Sequence, residues 1–111
     1  MTNALYHVTL TEYAFDDLDA IAGYIAYYGS VEDAVRLLDK IDERIVQLER
    51  FPMRGSVPKE LQDVGRNDYR QSVIGSYRIF YRVDGNEVTV NLIADGRRDM
   101  QELLRLRLLA A

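Results

Sequence analysis

The chain begins with a short alternating stretch, Tyr6 to Thr11 (YHVTLT), rich in β-branched residues, and the alternation predicts a first strand. The rhythm then changes. Ala14, Phe15, Leu18, Ile21, Ala22, Ile25 and Tyr28 recur three and four apart, which predicts a helix running to Tyr28. Thr11 is its expected N-cap, Glu12, Asp16 and Asp17 place negative charge in the first turns where the helix dipole favours it, and Gly29 is its stop. Ser30, with Asp33 three residues on, opens a second helix whose apolar stripe is Ala34, Leu38, Ile41, Ile45 and Leu48. Glu32 and Arg36 are spaced for an ion pair along it. So short a link forces the two helices to lie antiparallel, as an αα-hairpin.

Phe51-Pro52 ends the second helix, because proline cannot continue it. Gly55, Pro58 and Gly65 mark Met53 to Asp68 as a loop, with one short helical turn at Lys59 to Asp63. Three strands follow: Tyr69 to Ile74, Tyr77 to Val83 and Glu87 to Ala94. Gly75-Ser76 and Asp84-Gly85-Asn86 join them as hairpins, and Asp99 to Leu109 is periodic enough for a final helix. The order β-α-α-β-β-β-α predicts an α+β fold, the αα-hairpin packed on a small twisted, largely antiparallel four-stranded sheet. Tyr77, Ile79, Tyr81 and Val83 are the expected core face of the middle strand, with Arg78, Phe80 and Arg82 facing away from it.

At 111 residues with 48% apolar and 29% charged side chains, residues 1–111 are expected to form one globular domain. No apolar run approaches the ~20 residues of a membrane helix and the start, MTNALYHV, lacks the regions of a leader, so a cytoplasmic location with no membrane partner is expected. With no cysteine and only His7, inside the first strand, disulfide, thiolate and most histidine chemistry is excluded. The acidic cluster Asp16, Asp17 and Asp19 lacks the spacing of a metal site, and no metal or cofactor is expected.

The net charge of −4 argues against a generic nucleic-acid binder. Yet the charge is uneven: residues 1–65 hold 6 Lys/Arg against 12 Asp/Glu, while residues 66–111 hold 8 against 6. Tyr69, Arg70, Tyr77, Arg78, Tyr81 and Arg82 interleave aromatic and cationic side chains, an arrangement able to hold RNA or simply to cover a core. Arg97 and Arg98 precede Asp99, the expected N-cap of the last helix, and on their own fit either an anion contact or a solvated helix start.

The array RQSVIGSYRIFYRVDGNEVTVNLIADGRRDMQELL resembles the C-terminal half of RelE/ParE-family toxins of type II toxin-antitoxin systems, also called plasmid-stabilisation proteins. LTEYAFDDLDAIAGYI is similar to that family's acidic first helix and LERFPMRGSVP to its F-P-x-x-G loop. The resemblance implies the same β-α-α-β-β-β-α order and a cognate antitoxin that wraps the toxin, with operator DNA reached only through that antitoxin. Tyr13, Tyr24, Tyr27 and Tyr28 cannot all face a small core, and are the expected antitoxin contacts.

The family divides by target, some members cutting messenger RNA in the ribosome and others inhibiting DNA gyrase. For RNA cleavage the resemblance implies Arg78 and Arg98, with Tyr81 or Asp95 as the further candidate residues. However, Tyr69 and Gln71 stand where the ribonuclease pattern has lysines, the C-terminal tyrosine position falls near Leu104, and Asp95 replaces histidine. A carboxylate there repels the phosphate that Arg98 would bind. Gyrase poisoning is therefore the expected activity, with Arg78, Arg97, Arg98 and Leu103 as the target surface. The alternatives are a ribosome-dependent endoribonuclease, or a degenerate toxin acting in operon autoregulation.

Overall fold

The computed structural model describes residues 5–109; residues 1–4, which begin the segment read against a leader, and residues 110–111 lie outside the described residues. The order is β1 (His7–Leu10), α1 (Glu12–Tyr28), α2 (Val31–Gln47), a 3₁₀ turn (Pro52–Arg54), α3 (Lys59–Gln62), β2 (Arg70–Ile74), β3 (Tyr77–Asp84), β4 (Glu87–Asp95) and α4 (Met100–Leu104), which continues as a π-helical turn, Arg105–Leu109. The predicted caps form: the Thr11 hydroxyl accepts from the Ala14 N–H at 3.1 Å, Ser30 from Asp33 at 3.0 Å, and Asp99 from Glu102 at 3.2 Å. Arg36 pairs with Asp33, one residue nearer than the expected Glu32.

Four strands form one sheet in the order β1-β4-β3-β2, with β1 parallel to β4 and the other pairs antiparallel. Both hairpins turn on two residues, Gly75-Ser76 and Gly85-Asn86. Each glycine has positive φ and its follower does not, the pattern of a type II′ turn. His7 lies exposed on β1, 2.9 Å from Glu87, a sheet-surface histidine as the sequence suggested.

The sheet is covered on both faces, which differs from the single hairpin-covered face predicted. Ala14, Ile41 and Leu48 of the helical hairpin pack on Ile79, Tyr81, Val88, Val90 and Ile93. On the other side, Tyr69, Phe80, Leu92 and Ala94 pack with Leu61, Met100 and Leu104. Phe80 is therefore core, and the middle strand buries both sides. The cause is the C-terminal helix folding back across the sheet.

A β-bulge makes this two-sided packing possible. Phe80 pairs with Leu92 while its neighbour Tyr81 pairs with Val90, so Asn91 is the extra residue on β4. Val88 and Val90 face the helical hairpin; beyond the bulge the alternation slips, and Leu92 faces the C-terminal helix instead. Backbone groups freed beside the bulge are satisfied by side chains. The Ile93 N–H donates to Asp17 at 3.0 Å, and Arg107 donates to the Asn91 carbonyl at 2.9 Å and to both Asp17 oxygens at 3.0 Å. Asp17 thus ties α1 to β4 and to the chain's C-terminal turn, a role beyond the dipole effect read from sequence.

The F-P-x-x-G loop is held just as specifically. Tyr81, fully buried, donates its hydroxyl to the Pro52 carbonyl at 2.7 Å, and Arg70 donates to the Gly55 carbonyl at 2.7 Å. A Cβ on Gly55 would overlap the Tyr81 hydroxyl and stand 2.6 Å from the Gln71 carbonyl oxygen, so only glycine fits. Among the described residues no helix is long and apolar enough to cross a membrane.

Candidate functional site

A groove of about 390 Å³ runs between α1 and the ends of β3 and β4. Asp17, Ala20, Ile21 and Tyr24 form one wall, Tyr77, Ile93 and Ala94 the floor, and Asp95, Arg97 and Arg98 the opposite rim. The rim owes its shape to a tight reversal after β4. Gly96 donates its N–H to the Ser76 carbonyl at 2.6 Å, and a Cβ there would come within 3.0 Å of the Arg78 side chain.

The Asp95 carboxylate closes this reversal as an Asx turn, accepting from the Arg97 N–H at 3.0 Å. It also binds the Arg97 guanidinium, at 2.6 Å in the closest contact. These hydrogen bonds hold the Asp95 carboxyl below its ordinary value, so it stays ionised and is a weak base. The adjacent arginines are consequently unlike each other. Arg97 is compensated by Asp95, whereas the exposed Arg98 guanidinium has no ion-pair or hydrogen-bond partner among the described residues. Arg98 also borders a shallower hollow of about 300 Å³ with Glu102, Leu103 and Leu106.

Arg78 and Tyr81 belong elsewhere. Arg78 forms a two-pronged ion pair with Glu60 at 2.8 and 2.9 Å, donates Nε to Gln71 at 2.7 Å, and is only 15% exposed. The expectation of a solvent-facing Arg78 at the target surface is corrected: α3 brings Glu60 over it, and the sequence placed α3 without its contacts. Tyr81 as a ribonuclease residue is likewise corrected, since its hydroxyl is buried on Pro52 and burial pushes its phenol above the ordinary value. Tyr69 is buried against the C-terminal helix, with the half-exposed Arg82 guanidinium 6.0 Å from its ring centroid.

The Glu60–Arg78 pair has a pH consequence. Hydrogen bonds from Arg78 hold the Glu60 carboxyl below its ordinary value. Its stabilisation is complete above the unfolded-state pKa and is lost as pH falls through the depressed folded-state value. Glu60→Gln should cost about 1 kcal/mol at neutral pH and flatten the acid loss of stability between about pH 5 and pH 2, read from urea unfolding. An unchanged acid slope would contradict this role.

Leu103 packs partly into the core while lining the hollow beside Arg98; Leu106, 56% exposed, is the more available apolar residue and was missed. Its three-residue spacing from Leu103 was the available signal. Of the four tyrosines, Tyr24, Tyr27 and Tyr28 gather near the hairpin tip, with centroids 4.7 Å apart for Tyr24–Tyr28 and 4.8 Å for Tyr27–Tyr28. Tyr13 stands apart near the start of α1, under Arg107 at 5.3 Å. All four are at least 66% exposed.

A family model described as the ParE toxin of the type II toxin-antitoxin system, parDE, matches residues 8–101. Among solved structures, the chromosomal ParDE toxin-antitoxin system from P. aeruginosa is similar at 20% identity and TM-score 0.70, covering 83% of this chain and 97% of that one. The toxin-antitoxin complex RelBE2 from Mycobacterium tuberculosis is similar at 22% identity and TM-score 0.61, covering 85% of this chain and 94% of that one. At these identities the likeness is one of fold. No curated protein matches the chain.

Proposed function

Because the chain belongs to the family of ParE toxins of type II toxin-antitoxin systems, we propose that it arrests growth by binding and poisoning DNA gyrase and is neutralised by a cognate antitoxin. The observation that carries this reading is the state of the residues a ribonuclease would need. Tyr81 is buried, Arg78 is locked to Glu60, and Asp95 is held ionised by Arg97. General acid-base cleavage of RNA requires groups that can exchange protons at an exposed phosphate. What remains exposed is a cation, Arg98, between an apolar groove and a hollow edged by Leu103 and Leu106. That combination suits a protein surface with a carboxylate and apolar side chains.

In this reading residues 1–111 form one toxin domain working in the cytoplasm without a cofactor. Arg97, Arg98, Leu103 and Leu106 touch the target, and Tyr24, Tyr27 and Tyr28, with Tyr13 further along α1, receive the antitoxin. Complexes solved for the similar ParDE and RelBE2 systems make an antitoxin partner the natural inference. Immobilised toxin should retain purified gyrase, release it as salt rises, and retain none once saturated with antitoxin. Retention of ribosomes with no gyrase would overturn the proposal.

A further inference from the structure

A second concavity, of about 430 Å³, lies where the end of α2 meets the 3₁₀ turn and β2. Arginines 44 and 54, serines 56 and 72 and glutamines 47 and 71 line it together with Phe51, and no carboxylate does, in a chain with 18 acidic side chains against 14 basic ones. Arg44 donates through Nη1 to the Ser72 hydroxyl at 2.8 Å and the Val73 carbonyl at 2.9 Å. These bonds fix its guanidinium against β2 and leave Nε and Nη2 without acceptors among the described residues. Arg54 lies over the Phe51 ring at 4.1 Å, its guanidinium likewise free of ion pairs among the described residues.

The backbone adds another donor. Gln71 points its N–H away from β3, to the Ser56 carbonyl at 2.7 Å. Val73, two residues along the same edge, points its N–H the same way, and nothing among the described residues accepts it. Because Arg44 already caps the Val73 carbonyl, this edge cannot pair fully with an added strand. The site therefore presents converging donors in a volume within the ~300–1,000 Å³ typical of small-ligand sites.

We propose that this pocket binds a phosphate-bearing small ligand, its phosphate held by Arg44, Arg54 and the Val73 N–H. Arginines suit this task because they offer several donors in a planar fork. The site is distinct from the Arg98 groove and does not depend on the gyrase reading.

The test is an NMR titration of the isotope-labelled chain with inorganic phosphate, adenosine monophosphate and adenosine, against sodium chloride at matched ionic strength. Phosphate and adenosine monophosphate are expected to shift the Val73 amide and the Arg44 and Arg54 Nε signals saturably below about 10 mM, whereas adenosine should not. Nucleotide binding about tenfold tighter than phosphate would assign a nucleotide, and equal binding a free phosphate. Arg54→Gln, at an exposed side chain with no ion pair among the described residues, should weaken binding about tenfold or more, while Arg98→Ala should leave it unchanged. The proposal is overturned if no saturable shift occurs, if chloride reproduces the shifts, if adenosine binds as well as its monophosphate, or if Arg54→Gln has no effect.

Discussion

Arg98→Ala should relieve growth inhibition strongly, raising the toxin level needed to halt growth by about tenfold or more, as expected for an exposed arginine anchoring an interface. Arg97→Ala should do much less. Arg97 already spends its charge on Asp95 within the Asx turn, and its removal mainly loosens that turn. The double variant should be inactive yet bind antitoxin nearly as well as the parent, since Tyr27 and Tyr28 at the hairpin tip do not line the groove that Arg97 and Arg98 rim. Induction titrations read toxicity and co-purification reads antitoxin binding. Equal relief by the two single variants would show that the Asp95 pairing does not divide their roles, and unchanged toxicity of the double variant would remove both arginines from the toxic surface.

Asp17→Ala should have the largest effect on stability. The change removes the acceptor of the Ile93 N–H and both prongs of the Arg107 pair, leaving a largely buried guanidinium without its carboxylate. A loss of about 2–3 kcal/mol is expected, enough to lower the melting temperature by roughly 10 °C. Asp16→Ala and Asp19→Ala, at exposed positions on the same helix, should stay within about 0.5 kcal/mol. Thermal and urea unfolding of the three variants distinguish the cases. Equal losses at all three positions would mean that Asp17 acts only through general helix electrostatics.

Asp17 also shows where sequence reading stops. Local signals were readable: Thr11, Ser30 and Asp99 cap the helices as expected, and Gly75 and Gly85 turn the hairpins. Each depends on residues a few positions apart, so the chemistry is visible in one stretch of chain. Asp17 meets Ile93 and Arg107 across 76 and 90 residues, and nothing near Asp17 announces a bulge in β4. The run Leu92, Ile93 and Ala94 did carry a trace of it, because three consecutive apolar residues cannot share one face of a regular strand.

The site was readable to a similar depth. Exposure of Tyr13, Tyr24, Tyr27 and Tyr28 followed from counting apolar positions on α1, and the structure bears it out. Arg78 looked free because the strand pattern gives its face but not what α3 lays over that face. Arg97 and Arg98 looked alike because the letters D-G-R-R do not say which arginine turns back onto the aspartate. The family pattern located the motif, and the Asx turn separated its two cations.

The most direct test of gyrase poisoning places purified toxin in a DNA supercoiling assay beside a translating-ribosome cleavage assay, each with the wild-type chain and with Arg98→Ala. Inhibition of supercoiling by the wild type alone, reversed by antitoxin and accompanied by intact messenger RNA, is the expected result. Messenger RNA cut at the ribosome while gyrase continues unaffected would contradict it.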